Sequence, residues 1–124
     1  MRGNMQLQIK GLDIEVTDAI REYVEQRVMS LGKVIRFDDP LVRISVELGR
    51  SANHHKQDEE AYRTEVHLTI PGQTFFAQAF ASDLYVSIDE VRDDIARQIR
   101  DNKGRSKSLF RRGGAMIKKL LRLE

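Results

Sequence analysis

The sequence predicts an α+β domain of element order β-α-β-β-β-α, with one four-stranded mixed sheet and two helices packed on one face. Three observations carry that reading. Four segments alternate apolar and polar residues with a period of two. Two longer segments set apolar residues at three- and four-residue steps behind a capping side chain. Each of these helices then has a single apolar stripe, which only the sheet can cover.

The first strand is read from Met5, Leu7 and Ile9 alternating with Gln6, Gln8 and Lys10. Gly11 is expected to break it, leaving Leu12, Ile14 and Val16 as an extended lead-in. Thr17 then offers a hydroxyl to an orphan backbone N–H, and Asp18 suits the positive end of the helix dipole. Ile20, Tyr23, Val24, Val28 and Leu31 form the first helical stripe, with Gly32 as its expected stop. Asp38-Asp39-Pro40 reads as a turn. Val42, Ile44, Val46 and Leu48 mark a second strand, and Gly49 to Glu60, almost wholly polar, reads as a connecting loop. Tyr62, Thr64, Val66, Leu68 and Ile70 mark a third strand. Pro71-Gly72 predicts a tight hairpin into a fourth, with Phe75, Ala77 and Ala79 on one face and Phe76, Gln78 and Phe80 on the other. The small alanines would let a helix lie close. Ser82 or Asp83 caps the second helix, whose expected buried stripe is Leu84, Tyr85, Ile88, Val91, Ile95 and Ile99. Asp89, Glu90, Asp93 and Asp94 read as a solvated face, and Arg97, Arg100 and Lys103 as its basic end. A right-handed crossover through the first helix makes the first two strands parallel.

This divides the chain into an α+β domain over 1–104 and a basic tail over 105–124, either flexible or folding on a partner. The formal net charge of +2 hides a sharp split. Residues 1–96 carry 11 Lys+Arg against 17 Asp+Glu, a net of −6. Residues 97–124 carry 10 against 2, a net of +8. An acidic body with a dense basic end points to a polyanion partner. Without cysteine there is no disulfide framework, thiolate nucleophile or Cys-ligated zinc, and a reducing, cytoplasmic setting is expected. No apolar run reaches membrane-spanning length and no secretory leader is recognisable, so no membrane association is expected.

Enzyme chemistry finds no support. His54 and His55 are adjacent in a loop, His67 falls on the polar face of a strand, and none has metal-ligand spacing. No phosphate-cradling glycine loop or nucleophile–base arrangement is evident, so no catalytic residue, metal, cofactor or small-molecule substrate is expected. What remains is binding. Arg97, Arg100, Lys103, Arg105, Lys107, Arg111 and Arg112 place seven cations in 16 residues, interrupted only by the acid Asp101. Such a run attracts a nucleic-acid backbone by counterion release, and guanidinium forks favour RNA phosphates. Phe76 and Phe80, on the sheet face away from the helices, are expected to bury themselves in a homodimer or beneath Leu109-Phe110 rather than to stack bases.

The segment Gly11 to Val24 resembles the opening of the ribosome hibernation-promoting factors, also called ribosome-associated inhibitor or sigma-54 modulation proteins. Asp83 to Asp89 with Arg97-Gln98-Ile99 resembles that family's second signature, and Tyr62 to Val66 with Ile70-Pro71-Gly72 also fits. The resemblance covers roughly residues 5–107. It implies the same fold, and binding to small-subunit ribosomal RNA in the cleft where messenger and transfer RNA would sit, so that translation is blocked and idle ribosomes are preserved. Carried over by position, Arg97, Arg100, Lys103 and Arg105 would be the main ribosomal-RNA contacts and His54, His55 and Lys56 a second, loop-borne set. Asp101 stands where a lysine is common. No second domain of the kind by which long members pair ribosomes is expected here. Two other readings stay open: a general double-stranded RNA-binding module, or a carrier for a basic amphipathic tail directed at a membrane or protein partner.

Overall fold

The computed structural model describes residues 6–36, 40–51 and 61–112, with side chains described through Asn102. Alternation becomes strand four times: β1 (Gln6–Leu12), β2 (Arg43–Arg50), β3 (Tyr62–Ile70) and β4 (Gln73–Ala81). The helical stripes become α1 (Asp18–Met29) and α2 (Leu84–Arg112). The sheet runs in the order β1-β2-β3-β4, parallel between β1 and β2 and antiparallel elsewhere. This is the predicted β-α-β-β-β-α architecture.

The core lies between the sheet and the two helices. Ile44, Leu48, Leu68, Ile95 and Ile99 are among its largest fully buried side chains, each contributing about 1.5–3 kcal/mol by leaving water. One polar pair is sealed within it. Thr64 Oγ1 lies 2.7 Å from Ser87 Oγ, and Ser87 Oγ donates to Leu84 O at 2.7 Å. Serine has one hydroxyl proton, so Thr64 is the donor between the two.

Local chemistry explains the turns. Thr17 Oγ1 accepts from Ile20 N at 3.2 Å, the expected cap of α1. In the Ile70–Gln73 hairpin Gly72 has φ +79 after a proline that fixes its own φ, the type II combination. Asp83 rather than Ser82 caps α2, accepting from Tyr85 N at 2.7 Å.

Several sequence expectations need correction. Gly11 does not break β1; it pairs with Leu48 inside the strand. A Cβ there would lie 2.6 Å from Ile14 O and 2.9 Å from Val16 Cγ2, so this glycine lets the following chain fold back closely. Gly32 is no left-handed stop: α1 tightens into a single 3₁₀ turn over Ser30–Lys33. Tyr85 is 38% exposed rather than part of the buried stripe, and its ring packs edge-on against Tyr23 of α1 at 4.9 Å. Asp89 is no freely solvated acid: it accepts from the Tyr23 hydroxyl at 2.6 Å and lies 3.0 Å from Arg27 Nε, tying the helices together. Finally, α2 does not end near Lys103 but continues across Gly104 to Arg112.

Candidate nucleic-acid interface

α2 buries Leu84, Ile88, Val91, Ile95 and Ile99 against the sheet, where buried Ala77 allows close approach. Turned away from that stripe are Arg97 and Arg100, both exposed. Arg97 donates to Asp94 Oδ1 at 3.2 Å, one helical turn back. Exposed pairs of this kind contribute only about 0.2–0.5 kcal/mol, so the guanidinium can exchange its partner for a phosphate at little expense. Arg100 has no ion-pair partner among the described residues.

The length of α2 changes the meaning of these cations. A helix ending at Lys103 would make them complements of its C-terminal dipole. With α2 reaching Arg112, Arg100 lies twelve residues from the end, and the dipole acts only within the last turn. Positions 107 and 111 follow 100 by seven and eleven residues, close to whole turns, so the helix returns them to the same side. Lys103, Arg105, Lys107, Arg111 and Arg112 all belong to α2, with side chains outside the described residues. Two side-chain amides hold this part of the helix to the sheet. Gln98 Nε2 donates to Phe76 O at 2.8 Å and Asn102 Nδ2 donates to Gln73 Oε1 at 2.9 Å.

His54, His55 and Lys56 lie outside the described residues, but the base of their segment is fixed by Ser51 N donating to Ala61 O at 2.8 Å. That base adjoins the start of β3, whereas Asn102 reaches the Ile70–Gln73 hairpin at its end. A nine-residue strand separates them, about 30 Å. The base of that segment and the Asn102 tie thus lie at opposite ends of β3.

The open sheet face has its own chemistry. Glu47 and Glu65 are direct cross-strand partners, which like charges disfavour. Arg63 bridges them, donating to Glu47 at 2.8 Å and Glu65 at 2.7 Å. His67 Nε2 lies 2.9 Å from the other Glu65 oxygen. The hydrogen bond from His67, then that from Arg63, holds the Glu65 carboxyl below its ordinary range. Bonding to Glu47 and Glu65 in turn raises the Arg63 guanidinium. Arg63 is thus engaged within the protein and unavailable to phosphate. Beside this network stand Phe76, 46% exposed with its ring 4.8 Å from that of His67, and Phe80, 37% exposed. The sequence reading missed the bridge, although Glu47, Arg63 and Glu65 all sit at outward positions of facing strands.

On the helical side, the Asp89 hydrogen bond raises the Tyr23 hydroxyl above its usual range, with burial adding to the effect. Among the described residues no group of three acidic or histidine side chains is arranged to hold a metal. No helix among them is long and apolar enough to cross a membrane.

Comparison with known proteins adds to this geometry. The sequence model of a family described as Sigma 54 modulation protein / S30EA ribosomal protein matches residues 7–107. A ribosome hibernation promoting factor of Pseudomonas putida is 30% identical over 111 residues, covering 90% of this chain and 99% of that protein. A ribosome hibernation promotion factor of Deinococcus radiodurans is 34% identical over 98 residues. That alignment covers 79% of this chain, which spans about half (49%) of the longer relative. The crystal structure of the Thermus thermophilus Protein Y N-terminal domain superposes with a TM-score of 0.62 at 26% identity, covering 76% of this chain and 93% of that domain.

Proposed function

The chain belongs to the Sigma 54 modulation protein / S30EA ribosomal protein family, and on that premise we propose that it is a non-enzymatic ribosome hibernation factor. It binds small-subunit ribosomal RNA in the messenger and transfer RNA cleft of cytoplasmic ribosomes. The observation that carries this reading is Arg97 and Arg100 standing exposed in the interior of α2, where dipole compensation gives them no purpose.

The mechanism is steric and needs no bond-making step. Arg97 and Arg100 lead the contact, with Lys103, Arg105, Lys107, Arg111 and Arg112 extending it along α2. Their charges displace counterions from phosphates, and the guanidinium forks take phosphate oxygens in pairs. His54, His55 and Lys56, in the segment between β2 and β3, supply a second contact. A folded body held by these contacts fills a cleft that an extended messenger or a transfer RNA stem would otherwise enter.

The test is co-sedimentation of the protein with isolated small subunits from about 50 to 200 mM salt, the range over which six or more phosphate contacts lower affinity roughly 10³-fold on a duplex scale. Saturation near one copy per subunit, weakened by salt and competed by messenger RNA, is the expected result. Absent binding, or unsaturable binding equal for any RNA, overturns the proposal.

A further inference from the structure

α2 is longer than the sheet it packs on. Its 29 residues extend about 43 Å, while the nine residues of β4 extend about 30 Å. The two run antiparallel: Leu84 follows Ala81 through a two-residue link, Gln98 meets Phe76, and Asn102 meets Gln73 at the hairpin. Beyond Asn102 the helix continues for ten residues, about 15 Å, past the end of the strand. Five of the seven cations assigned to RNA lie on that extension.

What directs the extension is therefore decided at its root. Ile99 is the last fully buried α2 side chain among the described residues. After it, Asn102 makes the final tie to the sheet. Gln98 and Asn102 are one turn apart on the same side of the helix, and their partners, Phe76 O and Gln73 Oε1, both belong to β4. As β4 is an edge strand, the Phe76 carbonyl faces away from β3 and would otherwise be left to water. The amide at 98 thus fixes the helix against a rigid backbone atom, and the amide at 102 fixes it against the hairpin. Gly104, Ser106 and Ser108 follow at once, residues of weaker helix propensity than alanine or leucine, so the extension has little local rigidity of its own.

We propose that Gln98 and Asn102 are positioning residues for RNA binding: two amide clamps that hold the basic extension of α2 in line with the body while touching no RNA themselves. The inference rests on the RNA-binding reading above. A clamped extension holds the helix axis beyond Asn102 in one direction. An unclamped one samples many directions, and apparent affinity falls with the fraction of molecules in the competent one.

The test compares the protein with its Gln98→Ala/Asn102→Ala variant by two readouts. Because the chain has no cysteine, Ser45→Cys and Ser106→Cys place two nitroxide labels, one on the outward face of β2 and one on the extension. The label–label distance distribution is expected to be narrow in the parent and to broaden in the variant. Small-subunit affinity is expected to fall about tenfold, as for a competent fraction of about one tenth. The dependence of log affinity on log salt should stay unchanged, because no phosphate contact is lost, whereas removing one contacting cation lowers that slope by about one. An unbroadened distribution overturns the clamp, and broadening without loss of affinity overturns its role in binding. A lowered slope shows that cationic contacts are lost outright, and loss of affinity without broadening shows that Gln98 or Asn102 is itself an RNA contact; either result also overturns it. If the parent protein fails to bind small subunits, the RNA reading falls, and the label distances alone decide whether the amides hold the helix.

Discussion

Replacing Arg97 and Arg100 together separates the RNA-binding reading from a purely structural role for these cations. Both side chains are exposed, and the only ion pair lost among the described residues is that of Arg97 with Asp94. An Arg97→Ala/Arg100→Ala protein should therefore lose no more than about 0.5 kcal/mol of stability. On a domain of this size that lowers the thermal midpoint by about 1–3 °C. Binding responds far more. With a slope near −0.9 per phosphate, each contact at about 0.15 M salt is worth roughly fivefold, so two contacts are worth about 30-fold, or ~2 kcal/mol. The salt slope should fall by nearly 2 at the same time. Arg97→Glu/Arg100→Glu adds repulsion, beside acids already present at Asp93 and Asp94, and should abolish co-sedimentation at physiological salt. The assay is sedimentation with small subunits over the salt series, alongside a melting curve for each variant. Co-sedimentation of the charge-reversed protein at parental levels, with an unchanged melting curve, would refute the assignment of these arginines to RNA.

Other consequences follow from the packing. Ser87→Ala leaves the buried Thr64 hydroxyl without a partner and should destabilise by about 1–3 kcal/mol in urea unfolding. Thr64→Val in the same protein should recover much of that, because both polar partners are then gone. Arg63→Met exposes Glu47 and Glu65 to each other and should lower stability by about 1–3 kcal/mol, yet leave small-subunit affinity within about twofold, since its cation is already engaged. The raised Tyr23 hydroxyl gives a signed pH effect. Its folded-state value lies above the ordinary 10.0, so its contribution is fully present below that value and is lost as pH rises through the folded value. Tyr23→Phe should remove this alkaline step from a plot of unfolding free energy against pH, and a step that persists would assign it to another group.

How much of this was legible in the sequence depended on the range of the physics involved. Alternation at Ile44, Val46 and Leu48, or at Val66 and Leu68, is local, and all five side chains are buried as their period requires. The cap at Thr17 and the turn at Pro71-Gly72 are equally local. Tyr85 illustrates the limit: it borders the Leu84 stripe in sequence, but its surroundings are set by Tyr23 on another helix. Asp89 was misread for the same reason, since its partners lie more than sixty residues away. Gly11 looked like a strand breaker because glycine is flexible, whereas its actual use is steric, at contacts only the folded chain creates. At the candidate site the run of cations was plain from composition. What composition could not supply was the continuity of α2 across Gly104, a residue about 1 kcal/mol poorer than alanine in a helix. Nor could it pair Ser51 with Ala61 at the end of the sheet opposite the Ile70–Gln73 hairpin, a consequence of strand order and direction.

On the proposed reading, the arrangement of charge along α2 reconciles a net charge of −6 over residues 1–96 with a polyanion partner. Asp93 and Asp94 precede Arg100 by seven and six residues, about 10 Å along the helix axis. The screening length is about 8 Å at physiological salt, so these acids only weakly oppose a phosphate held at Arg100. Asp89, which would add to them, is engaged with Arg27 and Tyr23. Approach to the half of α2 from Arg97 onward is therefore attractive. Approach to the first half of α2 meets exposed Glu90, with Asp93 paired to Arg92 and Asp94 to Arg97, and is less favourable. The same helix thus supplies the attraction at one half and disfavours contact at the other. On the proposed reading, the acidic first half of α2 directs phosphates to the half from Arg97 onward, and its acids assist docking although they contact no RNA.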